Sequence, residues 1–274
     1  MYTYGCDPEV FFGGDHVIPA GVVFDLSNAP HLTRLSCGNA YVDGAAFELQ
    51  PNWSSDPEVV VNNCREIMTF GQSLAQEYGT VVSIAPELPI DLDWCKRDPS
   101  LTVFGCDPDR SAWGDQFSPG KINAAKHPWR YGGCHLHIGI VEEPQFFDDE
   151  NNIITMSKSL DRTVGLVSMI LGEGKDTRRR QVYGRPGIYR QQIERMEYRT
   201  PSNAVFQPVW LEYLFNLAGH TISLCRSEGY EVFNSILPDN LLLDVYHSGA
   251  AKEVWDVVKT AFGLVEIPGN GGNW

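Results

Sequence analysis

The chain has 274 residues with 43% hydrophobic and 11% aromatic content, enough to bury a substantial core, and no apolar run approaches the length that spans a bilayer. A formal net charge of -14 disfavours nonspecific attraction to nucleic acid or to anionic membranes. Seven cysteines, an odd number with no Cys-x-x-Cys pair, argue for reduced thiols over a disulfide framework or a zinc ribbon. Residues 1 to 20 contain Asp7, Glu9 and Asp15 and lack a basic leader and an apolar core, so they do not resemble a secretory signal, and a cytoplasmic protein is expected. The length is compatible with one large domain over 1–274.

In chain order, Tyr2 to Phe12 predicts a strand with Asp7 and Glu9 on one face and Cys6, Val10 and Phe12 on the other. Pro8 has no N–H for a ladder and points to an edge or a bulge there. His16 to Phe24 is the expected hairpin partner across Gly13-Gly14-Asp15. Asn39 to Gln50 predicts another strand, in which Glu48 between Phe47 and Leu49 faces either a specific ligand or water. A helix from about Ser55 to Tyr78 follows from the start Ser55-Asp56-Pro57-Glu58, the apolar stripe Val60, Val61, Cys64, Ile67, Met68, Leu74, Ala75, and the stop at Gly79. Thr80 to Ala85 is expected as a strand. The span 86–129, rich in Asp, Pro, Gly and Trp, is expected to be a mobile loop with one short strand at Leu101 to Phe104. Gly5-Cys6-Asp7-Pro8 recurs as Gly105-Cys106-Asp107-Pro108, without the flanking similarity of a repeat.

Gly132 to Ile140 predicts a strand that aims His135 and His137 the same way, as a metal-binding pair or as paired structural histidines. A helix is expected over Met156 to Leu171. The basic concentration Arg178-Arg179-Arg180, Arg185 and Arg190, interrupted by Tyr183, Gly184, Pro186 and Gly187, is expected as a loop, mobile without nucleotide, that suits a polyphosphate, with a nucleic-acid or protein contact as the alternative. Arg195-Met196-Glu197-Tyr198-Arg199 predicts a strand with Arg195, Glu197 and Arg199 on one face. Such a face meets either water or ions of both signs. Helices about Val209 to Arg226 and Leu241 to Phe262 and a mobile glycine-rich tail near 268–274 complete the chain.

The order of an acidic first strand, Glu48 on a second, Gly-Gly-Cys-His-Leu-His, an arginine-rich segment and Arg-Met-Glu-Tyr-Arg resembles the glutamine-synthetase-like carboxylate-amine ligases, most of all the type 2 COOH-NH2 amidoligases of phages. The resemblance implies an α+β fold: a curved, mainly antiparallel sheet carrying the site on its concave face, with helices packed on its convex face. It implies Mg2+, with Mn2+ as the alternative, held by Glu9, Glu48, His135, His137 and Glu197. It also implies ATP held by Arg178, Arg180, Arg185, Arg190 and Arg199, with Glu48, Glu197, Arg199 and Arg185 as catalytic groups. Where the family has Glu-x-Glu on its first strand, this chain has Asp7-Pro8-Glu9, which makes Glu9 the expected ligand and leaves Asp7 without a role. The implied activity is amide formation through an acyl phosphate, from a small-molecule or peptide carboxylate and an amine, in the host cytoplasm for a phage protein. A guanidino-kinase-like phosphotransferase and a non-enzymatic binding module on the same fold are the alternatives.

Overall fold

The structure, a computed structural model, describes residues 1–24, 31–102, 110–114, 123–269 and 274. The first strand, β1 (Tyr2–Phe12), forms as the alternation predicts. Its expected hairpin partner is reduced to a Phe12–Ile18 bridge, because Pro19 has no N–H to extend a ladder and instead opens the short helix α1 (Ala20–Val23). After β2 (Leu32–Leu35), the stretch expected as one strand is two, β3 (Gly38–Asp43) and β4 (Ala46–Pro51). Gly44-Ala45 makes the two-residue turn between them, with Gly44 at φ 53°. Helix α2 (Pro57–Tyr78) starts where Asp56 accepts the N–H of Glu58 and stops at Gly79, which is left-handed with φ 81°.

Strand β5 (Val82–Ser83) is shorter than expected. Among its described residues the span 86–129 holds only short elements, including β6 (Glu87–Pro89), α3 (Leu92–Arg97) and β7 (Arg110–Ser111), followed by β8 (Trp129–Tyr131). Leu101 and Thr102 belong to a 3-10 turn, Pro99–Thr102, rather than to a strand. The rest of that expected strand and Gly105-Cys106-Asp107-Pro108 lie outside the described residues, as does most of the glycine-rich tail. Strand β9 (Cys134–Ile140) forms, starting two residues later than expected, with Gly133 in an isolated bridge to Ser202. The next helix begins earlier than predicted, capped by Asp149, and is α4 (Glu150–Leu160) and α5 (Leu166–Gly172) joined by a π turn at Asp161–Gly165. The arginine run folds into α6 (Thr177–Val182) rather than a loop. Strands β10 (Ile188–Gln192) and β11 (Arg195–Tyr198) lead to α7 (Pro208–Glu228), α8 (Tyr230–Ile236), α9 (Asp239–Ser248) and α10 (Ala251–Ala261). Gly249, at φ 79°, splits what the sequence predicted as one terminal helix.

The principal sheet runs β2-β3-β4-β1-β9-β11-β10-β7, with β5 pairing the end of β1, and among the described residues every ladder in it is antiparallel. With the helices it makes the α+β class expected. Period-two alternation then decides what each face carries. Cys6, Val10, Leu136, Ile138, Met196 and Tyr198 point into one large core with α2, α4 and α7. On the opposite face, Phe11 and Ala46 enter a smaller core with Leu88, Ile90, Cys95 and Leu101, which covers one end of the sheet. Pro8 sits where the β1–β4 ladder opens. From the Tyr4–Ser54 bridge to the Glu9–Glu48 pair, β1 advances five residues and its partner six, so one residue is inserted there. Among the described residues no helix is long and apolar enough to cross a membrane.

Gly71 of α2 tests the large core. A Cβ there would lie 2.1 Å from Cε1 of Phe47, which is fully buried and stacked on Phe12. Replacing a helical glycine gains about 1 kcal/mol, whereas forcing a packed ring to move costs roughly 1–3 kcal/mol. Gly71→Ala is therefore expected to lower the urea midpoint; a higher midpoint would mean that the ring shifts at no cost.

Candidate active site

Cross-strand partners present their side chains to the same face, and the register does the gathering. Asp7 pairs with His135, Glu9 with Glu48, Glu48 with Tyr41, His137 with Glu197, and Glu197 with Arg190. The result is a cleft of about 950 Å³ whose lining includes Asp7, Glu9, Asp43, Glu48, His135, His137, Arg190, Arg195, Glu197 and Arg199. Glu9, Glu48, His135, His137 and Glu197, singled out in the sequence on four separate stretches, thus share one cavity.

They fall into two triads, Asp7-His135-Glu197 and Glu9-Asp43-Glu48, each offering ligand atoms within 4.8 Å of one another. In the first, His135 Nδ1 lies 3.0 Å from Asp7 Oδ1 and 3.6 Å from Glu197 Oε1, and His137 Nε2 lies 3.2 Å from Asp7 Oδ2. Asp7 Oδ1, His135 Nδ1 and His137 Nε2 are nevertheless buried without a hydrogen-bond partner. Buried polar atoms left this way are costly, and a divalent cation ligated by oxygen and imidazole nitrogen would satisfy them. In the second triad, Glu48 accepts from Gln50 Nε2 at 2.7 Å and Glu9 accepts from the Gly133 amide at 2.7 Å.

The two triads differ electrostatically. Burial pushes the Asp7 carboxyl up, but His135 and His137 outweigh it and hold Asp7 far below the usual carboxylate range. For Glu197, burial and the Asp7 charge work upward, and Arg199, His135 and His137 bring the balance below normal. Glu48 is raised well above normal, by burial first and then by the Asp7 and Glu9 charges. Asp43 is also raised, by burial and then by Glu9.

The arginines separate into groups. Arg199 pairs with Glu197 and donates to Tyr183 Oη at 3.2 Å, and Arg190 Nη1 lies 3.6 Å from Glu197 Oε2. Arg178, Arg180 and Arg185 do not line this cleft. Arg178 pairs with Glu87 and stacks over Trp129, Arg180 pairs with Asp176, and Arg185 donates to the Gln181 carbonyl. Arg179, fully buried, donates to the carbonyls of Arg199, Thr200 and Pro201, so it braces the segment that follows β11.

Three groups in or beside the cleft carry no assigned role in the sequence. Reading 39–50 as one strand hides Asp43, which the Gly44-Ala45 turn makes the last residue of β3. Asp7 contacts both histidines. Tyr183 looked like a spacer between arginines, yet its hydroxyl reaches Glu9, His135 and Arg199. Gly132 and Gly133 have steric reasons: an added Cβ would lie 2.2 Å from Asn203 Nδ2 at the first and 2.3 Å from His135 Nε2 at the second.

No protein-family model and no curated protein matches this sequence. Among solved structures, a GmaS/ADP complex is similar over 94% of this chain and 67% of that chain, with 12% sequence identity and a TM-score of 0.41. A likeness of that extent is too slight to bear on function.

Glu48 gives a pH-dependent test. Its folded-state proton affinity is raised above its ordinary 4.5, so ionising it costs stability, and the cost grows as pH rises from 4.5 toward the raised value. In chelator, Glu48→Gln should therefore gain melting temperature over the unsubstituted protein as pH rises above 4.5. Saturating Mn2+ should cancel or reverse that gain, because glutamine brings no charge to a cation. A difference that stays constant with pH in chelator would mean that Glu48 ionises there without penalty.

Proposed function

We propose that this protein is an ATP-dependent carboxylate-amine ligase of the glutamine-synthetase-like kind, related to the type 2 COOH-NH2 amidoligases, that joins a small-molecule or peptide carboxylate to an amine. The observation that carries the reading is the meeting of two carboxylate-bearing triads with Arg190 and Arg199 on one face of an antiparallel sheet. The motifs Gly-Cys-His-Leu-His and Arg-Met-Glu-Tyr-Arg supply the facing residues of the adjacent strands β9 and β11.

The chemistry explains the need for such a face. A carboxylate oxygen is a poor leaving group, so it first attacks the γ-phosphorus of ATP, releasing ADP and giving an acyl phosphate. The amine then displaces phosphate to form the amide. The first step brings an anion against a polyanion, and the site must neutralise both. Asp7, His135 and Glu197 would hold one divalent cation, Mg2+ or Mn2+, and Glu9, Asp43 and Glu48 another; when bound, they would offset phosphate charge. His137 borders the first. Arg190 reaches into the cleft beside Glu197 and would take phosphate oxygens with its planar fork. Arg199, tied to Glu197 and Tyr183, would keep the positive field fixed at the floor.

Incubation with ATP, Mg2+ and mixed amino acids, followed by mass spectrometry, tests the reaction: ADP and an amide product are expected. Glu197→Gln should keep the melting transition and lose at least about 100-fold in rate, since it removes the charge that balances cation and arginines. A phosphorylated guanidine in place of an amide would make the protein a kinase. Failure to bind either nucleotide or divalent cation would make it a binding module.

The arginines can be sorted by the same assay. Arg190→Lys keeps the charge but loses the fork, and apparent ATP affinity should fall about tenfold. Arg178→Ala should leave ATP affinity within about twofold, because Arg178 does not line the cleft and its guanidinium pairs with Glu87 instead. The opposite ranking would move the phosphate site to the α6 side.

A further inference from the structure

We propose that Tyr183 is a positioning residue: its single hydroxyl fixes the tautomer of His135, so that Nδ1 presents a lone pair to the first triad, and at the same time holds Glu9 of the second. The proposal deepens the reading of the triads as cation sites and rests on it.

Tyr183 does not line the cleft. Its Oη lies 3.0 and 3.3 Å from the two Glu9 oxygens, 3.1 Å from His135 Nε2 and 3.2 Å from Arg199 Nη2. A phenol has one hydrogen to give and two lone pairs to receive. A guanidinium only donates and a carboxylate only accepts. The Tyr183 hydrogen therefore goes to Glu9, one lone pair takes Arg199, and the other takes an N–H from His135 Nε2. A neutral imidazole carries one N–H, so Nδ1 is left as an acceptor. That atom faces Asp7 Oδ1 and Glu197 Oε1 at 3.0 and 3.6 Å and has no hydrogen-bond partner. Three acceptors without a hydrogen between them repel one another; a cation converts the same geometry into ligation. A partner on the second ring nitrogen is how metal-binding histidines are generally oriented.

The chain around Tyr183 is built to deliver it. Its amide closes α6 on the Arg179 carbonyl, and Gly184, at φ 41°, turns the chain where an added Cβ would lie 1.8 Å from Arg179 Nη1. The arginine-rich stretch thus serves the cleft through a tyrosine, with Arg179 as its anchor.

Tyr183→Phe removes the oxygen and keeps the ring that packs edge-on to His135 at 5.8 Å. Mn2+ titrations of the full chain, followed by electron paramagnetic resonance, should show affinity reduced about tenfold or more with the melting temperature little changed. Histidine ¹⁵N NMR of the metal-free protein at about pH 9, above the ordinary histidine range, should place the His135 proton on Nε2, and the variant should show a tautomer mixture. A proton on Nδ1 in the unsubstituted protein overturns the proposal even if the variant does not fold. Unchanged tautomer and unchanged Mn2+ affinity in Tyr183→Phe overturn it as well. If the unsubstituted protein binds no Mn2+, the cation-site reading fails, and the NMR result alone decides the role of Tyr183.

Discussion

Asp7, Glu9, Asp43, Glu48 and Glu197 are held in one cleft against their mutual repulsion, and that constraint explains most of what surrounds them. Two like charges 4 Å apart cost roughly 4 kcal/mol even at an effective dielectric constant near 20. The protein offsets part of this itself. Asp7 is lowered by the imidazoles, which act as counter-charges only when protonated, and Glu197 by Arg199 as well, so the first triad carries part of its own counter-charge. The second relies on neutral donors, namely Gln50, Tyr183 and the Gly133 amide, with Arg199 acting on Asp43 electrostatically. Asp43 and Glu48 are accordingly pushed up, and the Glu9-Asp43-Glu48 group has more to gain from an added cation.

Such a face exists because the scaffold behind it is apolar and tightly packed. The same strands that carry the acids bury Cys6, Leu136, Ile138, Met196 and Tyr198 beneath them, so a one-residue slip of β1, β9 or β11 would exchange core and site. Register is pinned at the ends by polar anchors. Asn203 donates to the carbonyls of Glu9 and Ala85, and Arg179 collects three carbonyls after β11. Buried donors of this kind are exacting, since each must find its acceptors.

What the sequence revealed and what it concealed divide along physical lines. Period-two alternation exposed β1, β9 and β11 and therefore the facing sets Asp7/Glu9, His135/His137 and Glu197/Arg199, because each strand carries its own evidence. The capped and striped helix α2 was legible for the same reason. Asp43 was lost to a missed turn, and its partnership with Glu48 is a matter of hairpin register. Charge clustering drew attention to Arg178, Arg179 and Arg180, but clustering in sequence does not fix direction: in α6, the three part toward Glu87, the carbonyls after β11, and Asp176. Tyr183 gave no pattern at all, since its contacts join β1, β9 and the start of the segment after β11, distant parts of the chain.

The π turn at Asp161–Gly165 sets a limit on how this chain can change in length. Asp161 and Arg162 are neighbours, both fully buried, and serve different parts of the molecule. Asp161 accepts from Trp113, Tyr198 and the Gly187 amide, against burial that pushes its carboxyl up to about 6. Arg162 reaches the Leu237 carbonyl and Asp239 among the terminal helices. A π turn is one residue inserted into an α-helix. Its wider turn absorbs that residue, whereas the α-helical turns on either side have no such slack: losing a residue from α4 or α5 would rotate everything beyond it by about 100°, turning the α5 face away from its partners and unhooking the sheet from the terminal bundle. Along this helix, residue number is therefore as constrained as residue identity: substitutions can be absorbed locally, whereas a single deletion would be felt at both ends of the fold.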